Sequence, residues 1–370
     1  MIVFAHLLND RSGSPKVLAE AIEGLSSAGQ PTALFVGSDG SGCLDDVGVP
    51  TTRYWYRRGA HRLTTLFAYV ASQLALFGKL LLSRGIPKDA IVYANTLLPF
   101  GAAVYGRLTG RKVVYHLHEV SLTPWPLQWF LTTVARWTAA HLIYVSEFHR
   151  HCLPIPGVPA TTVFNALDPA FVKKGKQAHY RHRRDGAFRV LMLASLRDYK
   201  GIPEFIELAR RVSEREDINF DLIANDDEEA VVRYFASRKV PGNVTVHART
   251  SDLTPWYAKA SLVINLSRPD QWIETFGLTL LEAMVFGVPV IAPPVGGPCE
   301  LISDGREGFL LDCRRMDELV TRVLGLADDE PLSRRLSEAA RHRALNFSRA
   351  AFVAGLREAL ELDTPHRKQS

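Results

Sequence analysis

The chain has 370 residues, 47% apolar and 22% charged, which excludes a disordered protein and exceeds what one ordinary core holds. A net charge of +5 favours anionic partners such as nucleotides, phosphates or an acidic membrane surface. Cys43, Cys152, Cys299 and Cys313 form no CxxC pair, so a zinc site or a disulfide frame is excluded and reduced thiols in the cytoplasm are expected.

In chain order, MIVFAHLLND carries no basic leader before its apolar core and reads as a first buried strand, not a secretory signal. In the following NDRSGSPKVLAEA, Ser12 and Gly13 precede a helix expected over 15–28, with Pro15 in its first turn. Free amides at such a start favour an anion, so Ser12 and Gly13 are candidates for a phosphate or acceptor loop. A plain capping turn is the alternative. Strands are expected in TALFVG, AIVYAN, KVVYHLH and HLIYVS, with helices between them.

One of these helices, LTTLFAYVASQLALFGKLLL at 63–82, has apolar residues at 63, 67, 70, 74, 77 and 81. A narrow polar stripe runs through Thr65, Ser72 and Lys79. Lys79 and Gln73 argue against a membrane span, and a helix packed on its sheet explains the periodicity. RYWYRRGAHR just before it, and PWPLQWFLTTVARW at 124–137, mix aromatic rings with arginines. That mixture suits the headgroup layer of an anionic membrane, so peripheral attachment on the inner face of the cell membrane is expected. YHLHEV then ends a strand with His116 and His118 on one face, where parallel folds place ligands.

The basic stretch KKGKQAHYRHRRDG is nearly free of apolar residues and marks a boundary. A first domain is expected over 1–172, a linker over 173–186 and a second domain over 187–347. The stretch holds one aromatic, Tyr180, so a solvated linker is simpler than a nucleic-acid contact, and no nucleic-acid partner is expected. Alternation restarts with FRVLMLA, INFDLIA, NVTVHA, SLVINLS, VPVIAP and FLLD, again an α/β pattern with a parallel sheet. Helices near 331–346 and 348–361 close the chain. The last, allowed to run over about 348–365, is expected to pack back on the first domain.

ETFGLTLLEAMVFGVPVIAP, at 274–293, places Glu274 and Glu282 eight residues apart. On a helix starting near Phe276 that step is about 12 Å. The paired carboxylates of a glycoside hydrolase stand roughly 5–9.5 Å apart about one bond. The longer spacing suits two ends of an extended ligand, with the amides of Gly277 and Leu278 between them for an anion. Hydroxyls at both ends and phosphate in the middle describe a nucleotide sugar; a capped helix with a solvated Glu282 is the plainer alternative. No Asp-x-Asp motif stands at a strand end, so no metal site is expected.

ETFGLTLLEAMVFGVPVIAPPVGGPCELISDGREGFLLD resembles the donor signature of retaining GT-B glycosyltransferases of family 4, also called group 1. YKGIPEFIELA, TVFNALDPAF and IYVSEFHR resemble further segments of that family, and the similarity runs over about 110–325. The resemblance implies the GT-B fold: two Rossmann-like doubly wound domains facing a cleft, the first for the acceptor and the second for the donor. It implies that Glu282 binds ribose hydroxyls, Glu274 the donor sugar near its reacting end, and Lys200 the diphosphate. Phe276, Gly277 and Leu278 would line the sugar and diphosphate, and Thr250 the nucleobase, though Ala248 replaces a usual glycine there. Arg197 departs from the pattern, because the family's arginine falls at the position of Ser195. His118 would stand near the donor sugar, so that Glu274, Lys200 and His118 form the catalytic set.

The implied reaction is a retaining, same-face transfer from a nucleotide-diphosphate sugar to a glycan or lipid-linked acceptor, without cofactor or metal, in bacterial surface polysaccharide synthesis. A nucleotide-sugar epimerase on the same scaffold is the alternative. A dehydrogenase lacks its glycine fingerprint.

Overall fold

The structure is a computed structural model describing residues 1–120 and 122–362. It divides into two compact units, Met1–Ala166 with the segment from Arg349 onward, and Leu167–Ser348.

In the first unit the chain runs β1 (Ile2–His6), α1 (Gly13–Ser27), β2 (Thr32–Gly37), β3 (Thr51–Tyr54) and α2 (Arg62–Leu82). It continues through β4 (Ile91–Asn95), α3 (Phe100–Leu108), β5 (Lys112–Leu117) and α4 (Trp125–Thr138). Then come β6 (His141–Tyr144), α5 (Glu147–Cys152) and β7 (Ala160–Thr162). The strands pair in parallel in the order β3-β2-β1-β4-β5-β6-β7. β1 and β4 are buried along their whole length, which is why their sequences run apolar without alternation. The order reverses between β1 and β4, so the C-terminal ends of these two strands form the unit's switch point.

The second unit begins with α6 (Pro169–Gln177), β8 (Phe188–Ala194), a 3₁₀ turn (Asp198–Lys200), α7 (Ile202–Arg211) and β9 (Ile218–Ala224). Next are α8 (Glu228–Phe235), β10 (Val244–His247), α9 (Thr254–Lys259), β11 (Leu262–Ile264) and α10 (Leu278–Val285). β12 (Val290–Ala292), α11 (Pro298–Leu301), β13 (Gly308–Leu310), α12 (Met316–Asp328) and α13 (Glu330–Ala344) complete it. Its parallel sheet runs β10-β9-β8-β11-β12-β13, with the switch point between β8 and β11. The last helix, α14 (Arg349–Leu360), returns to the first unit, where Arg349 pairs with Glu20 at 3.4 Å and Glu23 at 3.3 Å. Residues 363–365 of the expected final helix lie outside the described residues.

Three expectations are corrected. The boundary falls at 166/167, and the basic stretch 173–184 is built into the second unit instead of linking two domains. Two of its polar side chains are paired there: His182 is buried with Nε2 2.8 Å from the Leu326 carbonyl, and Arg183 meets Asp217 at 2.7 Å. Gly175 lies so close to Val285 that a Cβ would come within 2.5 Å of it. Secondly, α1 begins at Gly13 and α10 at Leu278, each two residues from the expected start. Thirdly, Ser72 of the expected polar stripe is buried, its hydroxyl donating to the Tyr69 carbonyl at 2.6 Å. The apolar stripe of α2 faces outward.

Candidate functional site

The second unit's switch point carries the densest cluster of predicted residues. β8 ends at Ala194, and Asp226 holds the following segment by accepting from Leu196 N at 2.8 Å. Lys200 closes the 3₁₀ turn, and Gly201 follows with φ +85. A Cβ at Gly201 would stand 2.0 Å from the Leu266 carbonyl oxygen, so the turn packs on the strand-end segment after β11 only with glycine there. From that segment Ser267 Oγ donates to Glu274 Oε1 at 3.0 Å, and Lys200 Nζ donates to the same oxygen at 2.6 Å. Trp272 lies against the lysine, its ring centroid 4.2 Å from Nζ, and stacks on Tyr199 at 5.2 Å.

Glu274 is one-fifth exposed. Burial works to raise its pKa. The Lys200 ammonium and hydrogen bonds from Lys200, Ser267 and Asn265 outweigh burial and hold the carboxyl below the usual glutamate value. The backbone under Glu274 is fixed by the paired glycines of the PPVGG turn. Gly297 N donates to the Glu274 carbonyl at 2.8 Å, and a Cβ on Gly297 would fall 2.3 Å from the Phe276 Cα. Those glycines let one backbone lie on the other.

Gly277 is the N-cap of α10 at φ +102, and Leu278 is the helix's first residue. The Phe276 ring is buried and meets Phe347 at 5.8 Å, so its side chain serves the core. Glu282 is only 2% exposed, and its Oε2 accepts from Tyr257 Oη at 2.6 Å. Burial first, and the neighbouring carboxylate next, push the Tyr257 phenol well above its ordinary value, so it stays a donor. Arg197 is exposed, with Nη1 donating to the Leu196 carbonyl at 2.9 Å, and Thr250 Oγ1 lies 3.4 Å from the Asp252 carbonyl. The geometry thus joins Lys200 to Glu274 directly, and gives Arg197, Thr250 and Glu282 local partners of their own.

In the first unit, Ser12 and Gly13 are exposed at the start of α1, and Ser12 N donates to Asp10 Oδ1 at 2.8 Å. His118 stands just past β5, its Nε2–H donating to Asn95 Oδ1 at 3.0 Å. Asn95 ends β4, and its Nδ2 donates to the Ser14 carbonyl at 3.2 Å, which ties His118 to the Ser12–Gly13 loop. His116 and His118 share a face, ring centroids 4.4 Å apart, and His116 Nδ1 accepts from Tyr93 Oη at 2.6 Å. Burial, then the neighbouring histidines, drive the His118 pKa well below the usual value, so the ring is neutral at pH 7. Among the described residues no three His, Cys, Asp or Glu side chains are placed to share a metal ion.

Asn265, Ser267, Trp272, Tyr257 and Asn95 were not anticipated. Four of them sit in or after strands at the two switch points, or on the segment leading to Glu274. Polar residues at the C-terminal ends of parallel strands are the signal that identifies Asn95 and Asn265. Tyr257 gives no such signal, because it meets Glu282 only through tertiary packing.

The family model for group 1 glycosyl transferases matches residues 176–343, nearly the whole second unit. N-acetyl-alpha-D-glucosaminyl L-malate synthase of Bacillus anthracis is 23% identical over 315 residues, covering 81% of each chain. D-inositol 3-phosphate glycosyltransferase of Paenarthrobacter aurescens is 27% identical over 194 residues, 50% of this chain and 45% of its own length. The chain therefore matches about half the length of that second relative. Anabaena HepE, solved in complex with UDP-glucose, aligns with a TM-score of 0.77 at 19% identity, over 98% of this chain and 99% of its own. With both strand orders in place, the chain has the GT-B fold, and its second unit matches the group 1 glycosyl transferases.

Proposed function

We propose that the protein is a retaining, metal-independent glycosyltransferase of family 4 that takes its sugar from a nucleotide diphosphate. The observation that carries this reading is the Lys200–Glu274 pair, 2.6 Å apart at the switch point of the second unit. A diphosphate leaving group gains negative charge as its bond to the anomeric carbon breaks, and a cation fixed beside it favours the transition state. Lys200 meets that charge, and Glu274 holds the lysine and hydrogen-bonds the donor sugar. Glu282, its orientation fixed by Tyr257, takes the ribose hydroxyls. The α10 amides at Gly277 and Leu278 face the sugar and diphosphate, Thr250 borders the base, and Arg197 adds a second cation.

The acceptor is a glycan or lipid-linked alcohol held by the first unit through Ser12 and Gly13, with neutral His118 as a hydrogen-bonding partner for the donor sugar. Its hydroxyl attacks the anomeric carbon from the face the leaving group departs, and its proton passes to the departing phosphate oxygen. The setting is bacterial surface polysaccharide synthesis in the cytoplasm. The relatives support the sugar-transfer part of this reading through what their names state: an acetylglucosaminyl malate synthase, an inositol phosphate glycosyltransferase, and a protein solved with UDP-glucose.

Thermal shift with a panel of UDP and GDP sugars in the presence of a chelator identifies the donor, because only a ligand of the folded state raises the melting temperature. With that donor, Glu274→Gln is expected to lower kcat by about a hundredfold or more. Strict dependence on added metal refutes the metal-free reading, and donor isomerisation without an acceptor product points to an epimerase.

A further inference from the structure

The outer face of the first unit carries a feature that sugar transfer does not use. α2 packs inward through Tyr69, Gln73, Leu76 and Leu80. The polar groups among these are satisfied: Tyr69 Oη donates to the Leu98 carbonyl at 2.7 Å, and Gln73 Oε1 accepts from Gly101 N at 3.1 Å. The solvent face is the apolar one, with Leu63, Phe67 and Leu74 exposed by 70%, 74% and 69%. A surface helix ordinarily has the reverse arrangement.

The apolar face does not stop at α2. The small residues of α3, Gly101, Ala102, Ala103 and Gly106, sink that helix between its neighbours. Phe100 meets Tyr69 at 5.8 Å and Phe130 at 5.2 Å, which joins the N-terminal half of α2 to α4. There Trp125 and Trp129 stand 72% and 58% exposed. Contiguous apolar surface on this scale marks a docking face.

Charge decides what docks. Residues 53–138, which hold both helices, contain eleven lysines and arginines against two acids, Asp89 and Glu119, and so carry +9 where the whole chain carries +5. Glu119 is directed inward, accepting from Leu97 N at 3.1 Å. Arg57, Arg58 and Arg62 are exposed before and at the start of α2, with Lys79 and Arg84 at its far end. An apolar stripe bounded by cations and tryptophans matches the boundary layer of a bilayer with acidic headgroups.

We propose that the α2–α4 face of the first unit lies in the interface of an anionic lipid bilayer, its apolar side chains at the acyl boundary and its arginines against headgroup phosphates. A second copy of this chain would bring two cationic rims together, which opposes pairing. At 21 residues α2 is long enough to cross a membrane. Crossing would tear Tyr69 and Gln73 from their partners and leave Lys79 in hydrocarbon, so the helix lies along the surface.

The test is sedimentation of the full chain with vesicles of phosphatidylglycerol and phosphatidylcholine, against vesicles of phosphatidylcholine alone. Binding needs no donor and no turnover, so it stands or falls separately from the transferase reading. Preferential binding to the acidic vesicles is expected, weakened about tenfold or more by Phe67→Ser, Leu74→Ser and Trp129→Ser combined. Arg57→Glu with Arg58→Glu should weaken it as well, with melting temperatures unchanged in both variants. The proposal is overturned if the native chain ignores acidic vesicles. It is equally overturned if the apolar triple variant binds as well as the native chain, or if light scattering shows a dimer which that variant dissociates.

Discussion

Glu274 Oε1 accepts from both Lys200 and Ser267, so one oxygen gathers the cation and the hydroxyl of two different strand ends. The leading downward influence on this carboxyl is the Lys200 charge, acting against burial. Lys200→Gln removes that charge and leaves the burial, so the Glu274 pKa must rise; the acid limb of the pH–rate profile moves to higher pH. Lys200→Arg should restore part of the original position. A carboxyl carbon-13 titration of Glu274 checks this directly, and an unchanged midpoint in Lys200→Gln would mean that the pair does not set its ionisation. Lys200, Glu274 and the glycines were legible in the sequence because they cluster in short motifs. Tyr257 and Asn95 were not, since the groups they hold, Glu282 and His118, lie 25 and 23 residues away.

Elements were read with uneven success, for a physical reason. Strands buried on both faces show as apolar runs, and β1, β4, β5 and β8 were legible for that reason. β3 and β7 are short edge strands with partly exposed residues, and neither announces itself in composition. The period of α2 was readable, but not its orientation, because the inward face carries Ser72 and Gln73 whose partners lie elsewhere in the fold. The 3₁₀ turn before α7 offers a direct test of packing. Gly186 and Gly201 both have positive φ, +79 and +85, but a Cβ at Gly186 meets nothing within 4 Å. Gly186→Ala is expected to cost about 1 kcal/mol, the penalty of a left-handed backbone alone. Gly201→Ala adds the collision with Leu266 and should cost about 3 kcal/mol or more, with loss of donor binding. Urea midpoints of the two variants compare the terms, and equal shifts would show that the Leu266 contact relaxes without cost.

At the scale of the molecule, α14 is the last element among the described residues and a structural part of the first unit. Phe352, Leu356 and Leu360 are buried, and a Cβ on Gly24 of α1 would come within 2.4 Å of Val353. Three such side chains contribute about 5 kcal/mol or more between them, comparable with the whole stability of many domains. Truncation after Ser348 should therefore abolish slow hydrogen exchange in β1 and β6 while β8 and β11 keep theirs. Retained protection in β6 would show that the first unit closes without α14. The chain thus leaves the first unit at 166/167 and returns to it at 348/349. A ribosome releases residues in order, so the half that is encoded first is finished last. When Ser348 emerges, the second unit has every strand and helix it needs. The first has by then been out of the tunnel for well over a hundred residues, with the surface that α14 covers still open. Only the twelve residues of α14 seal it, which makes the long interval before they appear the period when a nascent chain most needs a chaperone.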